Sequence, residues 1–164
     1  MYHNWLCSPV RMKWIGGKKP SGCVFCKIAK GDIKVPGKIL YRDKRFMVLM
    51  NIFPYNTGHI MVMPAKHAML LEELDDDDVA GLFVLVKKCV KLLKKVINPA
   101  GFNIGLNEGV VSAGASIPHL HVHIVPRFSG DLGFIDVIGA TKVMPEPVDV
   151  TFKKLKKHVK MLER

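Results

Sequence analysis

Long apolar runs are absent from this sequence. No stretch of 18 or more consecutive apolar residues occurs, so no membrane-spanning helix is predicted. The first residues also lack the charged-then-apolar order of a secretory signal, and we therefore expect a cytoplasmic protein with no membrane partner. Aromatic residues are scarce, at 8% of the 164 residues, and almost none lies among the lysine runs. Single-stranded nucleic acids are bound by aromatic side chains set among basic ones, so we expect no nucleic-acid partner.

Acidic residues are few relative to basic ones, with 14 Asp and Glu against 25 Lys and Arg. The net charge of +11 favours anionic partners, and among these the phosphate-bearing ones come first. Cysteine is limited to four residues, of which two are spaced as Cys23-x-x-Cys26. In a protein expected in the cytosol, this spacing indicates metal or redox chemistry before it indicates a structural disulfide.

The apolar pattern predicts one α+β domain over residues 23–164, preceded by an irregular arm at residues 1–22. Period-two runs and period-3.6 runs define the expected elements. The predicted strands are Ile39–Tyr41, Phe46–Met50, His59–Met63, Phe102–Leu106 and His119–Val125, and the predicted helices are Val79–Ile97 and Val148–Leu162. This order predicts a mainly antiparallel sheet covered by the two helices.

Three histidines alternate with apolar residues in the last predicted strand, at His119, His121 and His123. Alternate residues of a strand point to the same face, so three imidazoles are expected on one side. Two interpretations are open: a three-histidine metal site, or a strand on which histidine acts directly on phosphorus. The positions extend over roughly 13 Å by the rise per residue, which is wide for one zinc ion. Two glycine-bearing segments, Asn107–Gly109 and Gly114–Ser116, can turn backbone N–H groups toward an anion and favour phosphate.

Segment His119–Arg127 resembles the signature of the histidine-triad family, in which histidine alternates with apolar residues. Asn51–His59 is similar to that family's nucleoside-binding segment, and Cys23–Ile28 is similar to its usual opening. The resemblance implies an enzyme that cleaves nucleotides at the α-phosphorus through a nucleotidyl-histidine intermediate. It also implies a homodimer, for which the apolar helix Val79–Ile97 is a candidate partner surface.

The resemblance further implies roles for single residues. His121 would be the nucleophile, His123 would hydrogen-bond the phosphoryl or leaving oxygen, and backbone N–H groups near Ser116 would stabilise the developing charge. Ser116 is itself a rival nucleophile, for which His119 could act as the base. The residues expected to contact the nucleotide are Asn51, Ile52, Phe53, His59, Asn107, Gly114, Ser116 and His123.

Zinc is the expected cofactor. Cys23 and Cys26 offer two thiolates, and the resemblance implies that His67 and His119 complete a tetrahedral, structural site. Two alternatives stay open, namely a pair of thiols without metal and a site in which His59 replaces His67. We expect His59 to face the histidine strand instead, although a buried core histidine is also compatible with its position.

Segment Arg127–Phe134 looks most like the corresponding part of diadenosine tetraphosphate hydrolases and phosphorylases. The expected substrate is therefore a dinucleoside polyphosphate, with Mg²⁺ accompanying its phosphate chain. One departure is Ala115, because the hydrolase and phosphoramidase branches usually carry Gln directly after the glycine that matches Gly114. Two alternatives remain: a nucleoside phosphoramidase or nucleotidyl transferase with the same intermediate, and a nucleotide-binding regulatory protein with little turnover.

Overall fold

An antiparallel sheet of five strands organises the protein. The computed structural model describes residues 22–32, 37–112, 118–131 and 144–163, so the predicted arm lies outside the described residues except for Gly22. The strands are β1 (Lys38–Arg42), β2 (Phe46–Met50), β3 (Ile60–Pro64), β4 (Gly101–Asn107) and β5 (His121–Arg127). Their order across the sheet is β1-β2-β3-β5-β4, and every neighbouring pair is antiparallel. The predicted α+β class and antiparallel sheet are confirmed.

The first hairpin is tightened by one aspartate. The carboxylate of Asp43 accepts hydrogen bonds from the backbone N–H groups of Arg45 and Phe46 at 2.8 and 2.7 Å. This local bonding is what makes aspartate favourable in turns. All five residues of β2 and all five of β3 are buried, so the centre of the sheet is covered on both faces.

One face of the sheet packs against a long helix. Helix α2 (Asp76–Ile97) begins at Asp75, whose side chain accepts from the N–H of Asp78, and ends at Asn98 in the left-handed conformation with φ of 43°. Acidic residues occupy its first turn and lysines its last turn, which suits the helix dipole. Its apolar face packs in one cluster with inward-pointing residues of the sheet, among them Val122 and Ile124, and with Leu120 just before β5.

The other face is covered in part by a short helix, α1 (Val24–Ala29). Val24, Phe25, Ile28 and Ala29 form a second apolar cluster with methionines and a leucine of β2 and β3. The other members of this cluster are Met47, Leu49, Met61 and Met63. Because Met61 pairs with His123 across β3 and β5, this cluster lies on the face that carries the histidines.

Several predicted boundaries differ from the structure, most clearly those of the last strand and the last helix. Strand β5 begins at His121 rather than His119, since Leu120 donates its N–H to the carbonyl of Ala68 outside the sheet. The predicted C-terminal helix divides into α4 (Val148–Lys156) and a 3-10 turn (Val159–Leu162). A one-turn helix, α3 (Gly109–Ser112), follows β4 in chain order and precedes α4. Within the described ranges, no helix has the length and apolar character needed to cross a membrane.

Strand β4 is the end strand of the sheet and pairs only with β5 among the described strands. Asn107 lies opposite His121, and Gly105 lies opposite His123. Directly opposed residues of an antiparallel pair project from the same face. Asn107 therefore shares the histidine face, and beside His123 the neighbouring strand contributes no side chain.

Candidate active site and metal centre

Two histidines of β5 meet at close range. The Nε2 atoms of His121 and His123 are 3.2 Å apart, and the ring centroids are 4.7 Å apart. His121 is buried and His123 is half-buried, so solvent reaches the pair from the side of His123. Burial lowers the pKa of His121, an effect that its hydrogen bond to the backbone carbonyl of His119 partly opposes. His121 is therefore a neutral imidazole at pH 7.

A third histidine joins from the loop between β2 and β3. His59 Nε2 lies 2.8 Å from Nδ1 of His123, while His59 Nδ1 lies 3.0 Å from the backbone N–H of Tyr55. Burial, reinforced by the neighbouring rings of His123 and His121, lowers the pKa of His59 to about 3. Because a backbone N–H can only donate, His59 Nδ1 is the acceptor and its proton is on Nε2.

The same reasoning identifies the protonated nitrogen of His123 and of His121. His59 Nε2–H donates to His123 Nδ1, so a neutral His123 carries its proton on Nε2. His121 Nδ1 lies 2.7 Å from the carbonyl oxygen of His119, which can only accept, so His121 is protonated on Nδ1. The lone pair of His121 is therefore on Nε2 and faces the N–H of His123. A free imidazole lone pair beside an N–H donor is the arrangement that a nucleophile and its acid partner require.

Asn107 completes the group from β4. Its side-chain amide lies 3.0 Å from His123 Nε2 and 3.4 Å from His121 Nε2. Both contacts converge on the atoms that would face a phosphoryl group. The atom concerned is the amide nitrogen, which can donate to the lone pair on His121 Nε2 but not to a protonated His123 Nε2.

His119 faces a different set of partners. Its Nδ1 lies 3.3 Å from the sulfur of Cys23 and 3.6 Å from that of Cys26, and the sulfur of Cys26 lies 3.3 Å from Nδ1 of His67. The four ligand atoms all lie within 4.8 Å of one another. No other group of three or more His, Cys, Asp or Glu within the described ranges could hold a metal ion.

The geometry and chemistry of this cluster fit zinc. With Zn–S near 2.3 Å and Zn–N near 2.0 Å, ligand atoms of a tetrahedral site are separated by about 3.3–3.8 Å, close to the sulfur–nitrogen distances of 3.3 and 3.6 Å in this cluster. His119 Nε2 lies 3.0 Å from the carbonyl oxygen of Pro64, which fixes the proton on Nε2 and leaves Nδ1 free to ligate. Without a metal, burial and the neighbouring Cys23 raise the pKa of Cys26 to about 11, and burial lowers the pKa of His119 to about 4.

Phe25 lies between the two centres. It is 2% exposed, and its ring makes edge contacts with His119 at 5.7 Å and with His121 at 5.3 Å between centroids. Helix α1 places it there because Cys23 and Cys26 flank it in the same turn. The cysteine–histidine cluster and the histidine pair are thus packed against one aromatic side chain.

The predicted nucleoside segment forms a closed loop. Asn51 is buried, its side-chain oxygen accepts from the N–H of Phe53 at 2.9 Å, and its amide nitrogen lies 3.3 Å from Nδ1 of His59. Ile52 and Phe53 are half-buried beside it. Local hydrogen bonds therefore hold the segment next to the histidines.

Residues 33–130, more than half of the chain, match the model of the HIT domain. The chain belongs to the histidine-triad family. A phosphorylase of Mycobacterium tuberculosis, the AP-4-A phosphorylase, is 43% identical over 110 residues, which are 67% of this chain and 56% of that relative. The chain thus spans little more than half the length of this curated relative. The adenosine 5'-monophosphoramidase of Schizosaccharomyces pombe is 31% identical over 138 residues, which are 84% of this chain and 98% of the relative.

A solved structure gives the same fold. A zinc-bound histidine triad family protein from Mycobacterium smegmatis superposes with a TM-score of 0.68 at 28% identity, covering 87% of this chain and 96% of that one. The metal named for that protein accords with the cysteine and histidine cluster found in this histidine-triad chain.

Most of the predicted site residues of this histidine-triad protein lie within the described ranges, and they fall into two groups. Gly114, Ala115 and Ser116 lie outside the described residues, so their predicted phosphate contacts stay predictions. The structure brings together His121, His123, His59 and Asn107 in one group and His119 with His67 and the cysteines in another. Phe25 and Tyr55 were not anticipated. Their place beside the rings depends on how helix α1 and the loop between β2 and β3 pack onto the sheet, and the local sequence carries no such signal.

Proposed function

We propose that this protein cleaves dinucleoside polyphosphates, such as diadenosine tetraphosphate, at the α-phosphorus by way of a nucleotidyl-histidine. The observation that carries the proposal is the Nε2 lone pair of His121, held by the His119 carbonyl and facing the N–H of His123. The similarity to a relative named AP-4-A phosphorylase supports this substrate class. The proposal includes a single catalytic domain over residues 23–164.

The first step forms a bond between His121 Nε2 and the α-phosphorus. The bond from that phosphorus to the bridging oxygen breaks, and the rest of the phosphate chain leaves with the electron pair. His123 Nε2–H donates to the leaving or phosphoryl oxygen. In the second step, phosphate or water attacks the same phosphorus, and the N–P bond breaks to return the lone pair to His121. The proton that an attacking water loses passes to His123 or to solvent.

Binding contacts are assigned to the neighbouring segments. Asn51 would bind the ribose hydroxyls, and Ile52 and Phe53 would line the slot for the base. Gly114 and Ser116 would supply backbone N–H groups to the phosphates. The side chain of Asn51 is already engaged with Phe53 and His59, so ribose binding would replace its contact with the His59 ring.

Zinc would be held by Cys23, Cys26, His67 and His119, where it supplies structural cross-linking between helix α1 and the sheet. Mg²⁺ would enter with the polyphosphate. We also propose a homodimer in the cytoplasm, with α2 as the partner surface. Phe83 and Val84 support this surface, because they are 45% and 47% exposed on that helix.

A nucleoside phosphoramidase is the second candidate, and the similarity to the yeast adenosine 5'-monophosphoramidase favours it. Ala115 does not favour a phosphoramidase over a hydrolase, since the resemblance leads us to expect glutamine at this position in both branches. A regulatory protein that only binds nucleotides is less well supported, because binding alone requires no fixed imidazole tautomer.

Product analysis separates these candidates. The protein is incubated with diadenosine tetraphosphate in the presence and absence of phosphate, and in parallel with adenosine 5'-phosphoramidate. Phosphate-dependent ADP plus ATP indicates phosphorolysis, and AMP plus ATP indicates hydrolysis. Turnover of the phosphoramidate alone would assign the second candidate, and turnover of neither compound would contradict the proposal.

A further inference from the structure

Tyr55 is an exposed aromatic residue beside the reactive histidines. It is 51% exposed, and its ring packs against His59 at 4.8 Å and against His123 at 6.0 Å between centroids. The interplanar angles of 39° and 34° make these contacts tilted stacks rather than edge contacts. One side of the tyrosine ring is thus placed against the histidines, and the rest of the side chain is open to solvent.

The loop that carries Tyr55 is fixed at several points. The backbone N–H of Tyr55 donates to Nδ1 of His59, and the N–H of His59 donates to the carbonyl of Asn56. The side chain of Asn56 donates to the carbonyl of Pro126 on β5. An exposed aromatic ring on an anchored loop loses little conformational entropy when a ligand stacks on it.

The rings that Tyr55 contacts indicate which part of a substrate it would meet. His121 contacts His123 at 4.7 Å and His123 contacts His59 at 4.9 Å, while Tyr55 contacts the rings of His59 and His123 but not that of His121. In phosphoryl transfer the attacking and leaving groups lie roughly in line, so the leaving group departs away from His121. A ring that contacts the proposed acid partner and not the proposed nucleophile is suited to the side of the leaving group.

We infer that the exposed surface of Tyr55 is a stacking site for the base of the leaving nucleotide, the second base of a dinucleoside polyphosphate. This inference rests on the proposed function, because only that substrate class carries a base on its leaving group. Stacking on an aromatic ring tolerates any base, since every base has a π-face. Tyr55 thus favours a nucleotide as leaving group over a bare phosphate chain, without selecting which nucleotide.

Equilibrium binding tests the inference apart from turnover. Two ligands are compared in the His121→Gly background, which cannot form the intermediate. One is diadenosine tetraphosphate, and the other is adenosine 5'-tetraphosphate methylated on its terminal phosphate, which has the same four phosphates and no second adenosine. Replacement of Tyr55 by leucine is expected to raise the Kd for the dinucleoside about tenfold, as expected for one lost stacked base, and to change the Kd for the methyl ester less than twofold.

Tyr55→Phe is the matched variant, because it keeps the ring and removes only the hydroxyl. It is expected to bind both ligands within about twofold of the parent, since the stacking surface is retained. Equal weakening of both ligands in Tyr55→Leu would overturn the inference and assign the ring to the first nucleoside or to histidine packing. No change for either ligand would overturn it as well. Failure of the proposed function shows separately, as absence of turnover by the protein with His121 and Tyr55 intact.

Discussion

His119 contacts His121 through its main chain while its side chain faces the cysteines. Its carbonyl oxygen accepts the Nδ1–H of His121 at 2.7 Å, and its own Nδ1 lies 3.3 Å from the sulfur of Cys23. The residue that sets the tautomer of the proposed nucleophile is therefore anchored in the metal cluster. This relation connects two features that the sequence presents separately, the Cys-x-x-Cys pair and the alternating histidines.

Zinc is expected at one ion per chain in protein purified without added metal. Cys23→Ser should reduce the zinc content and lower the melting temperature by about 10 °C or more, because a structural zinc site contributes several kcal/mol. The substitution should act mainly on the melting temperature and less on the rate of the chemical step. Elemental analysis and calorimetry measure the two quantities.

Cys89→Ala is the control for the loss of a thiol. Cys89 lies on the buried face of helix α2 and is no part of the cluster, so its replacement should leave the zinc content unchanged. Metal-free protein of full stability would contradict the zinc assignment.

His121 is expected to become covalently nucleotidylated during turnover. His121→Gly should abolish turnover and leave nucleotide binding within a few-fold, because the base and ribose contacts are assigned elsewhere. Ser116→Ala removes the hydroxyl and keeps the backbone N–H, so it should slow the reaction by less than the roughly 10²–10³ typical for the loss of one oxyanion donor, and it should keep the label. The measurement is an acid-labile, base-stable label from a radioactive substrate. A label that survives in His121→Gly would disprove the assignment.

The burial of His59 predicts a stability loss in acid. Its pKa is about 3 in the folded protein and about 6.5 in the unfolded chain, so between these values only the unfolded chain binds the proton. Stability is therefore expected to fall as the pH decreases from about 6.5 toward 3. His59→Gln keeps an acceptor for the N–H of Tyr55 but cannot titrate, so its stability should depend less steeply on pH. His158→Gln, at an exposed position, is the control. Equal slopes for all three proteins in melting experiments would contradict this account.

A homodimer is expected in solution, with twice the chain mass of 18.3 kDa by light scattering at micromolar concentration. Phe83→Lys should weaken the dimer, because it places a charge on the exposed apolar part of helix α2. Val150→Lys, at a residue 42% exposed on helix α4, should leave the mass unchanged. The monomer mass for the unsubstituted protein would exclude the dimer.

Much of the fold was predictable because the relevant signals are local. Asp75 at the start of α2 and Asn98 at its end are capping residues, and the alternating Leu120, Val122 and Ile124 point into the core as predicted. The start of β5 was predicted two residues too early, because alternation continues through His119 although Leu120 is bonded to Ala68. The start of the strand is set by this tertiary hydrogen bond, which the alternation of apolar residues in the sequence does not reveal.

The site was predictable in part for the same reason. Spacing identifies the cysteines and histidines, but it does not show that His119 turns away from His121 and His123 toward Cys23. It also does not show the tautomers, since these depend on Tyr55 and on a carbonyl brought in by the fold. Contacts between segments distant in sequence determine which way each imidazole faces and which of its nitrogens carries the proton.

Gly105 lies opposite His123 in the sheet, and a methyl group built on it would meet nothing within 4 Å. No side chain occupies this position on the histidine face. A β-carbon introduced there would lie beside His123, the proposed acid partner, without displacing existing atoms. The same scaffold can host different functions, because function depends on the residues placed at the site. Gly105→Ser or Gly105→Asn would add a hydroxyl or an amide beside His123, so this position of β4 is open to a substitution that changes the surroundings of the proposed acid partner.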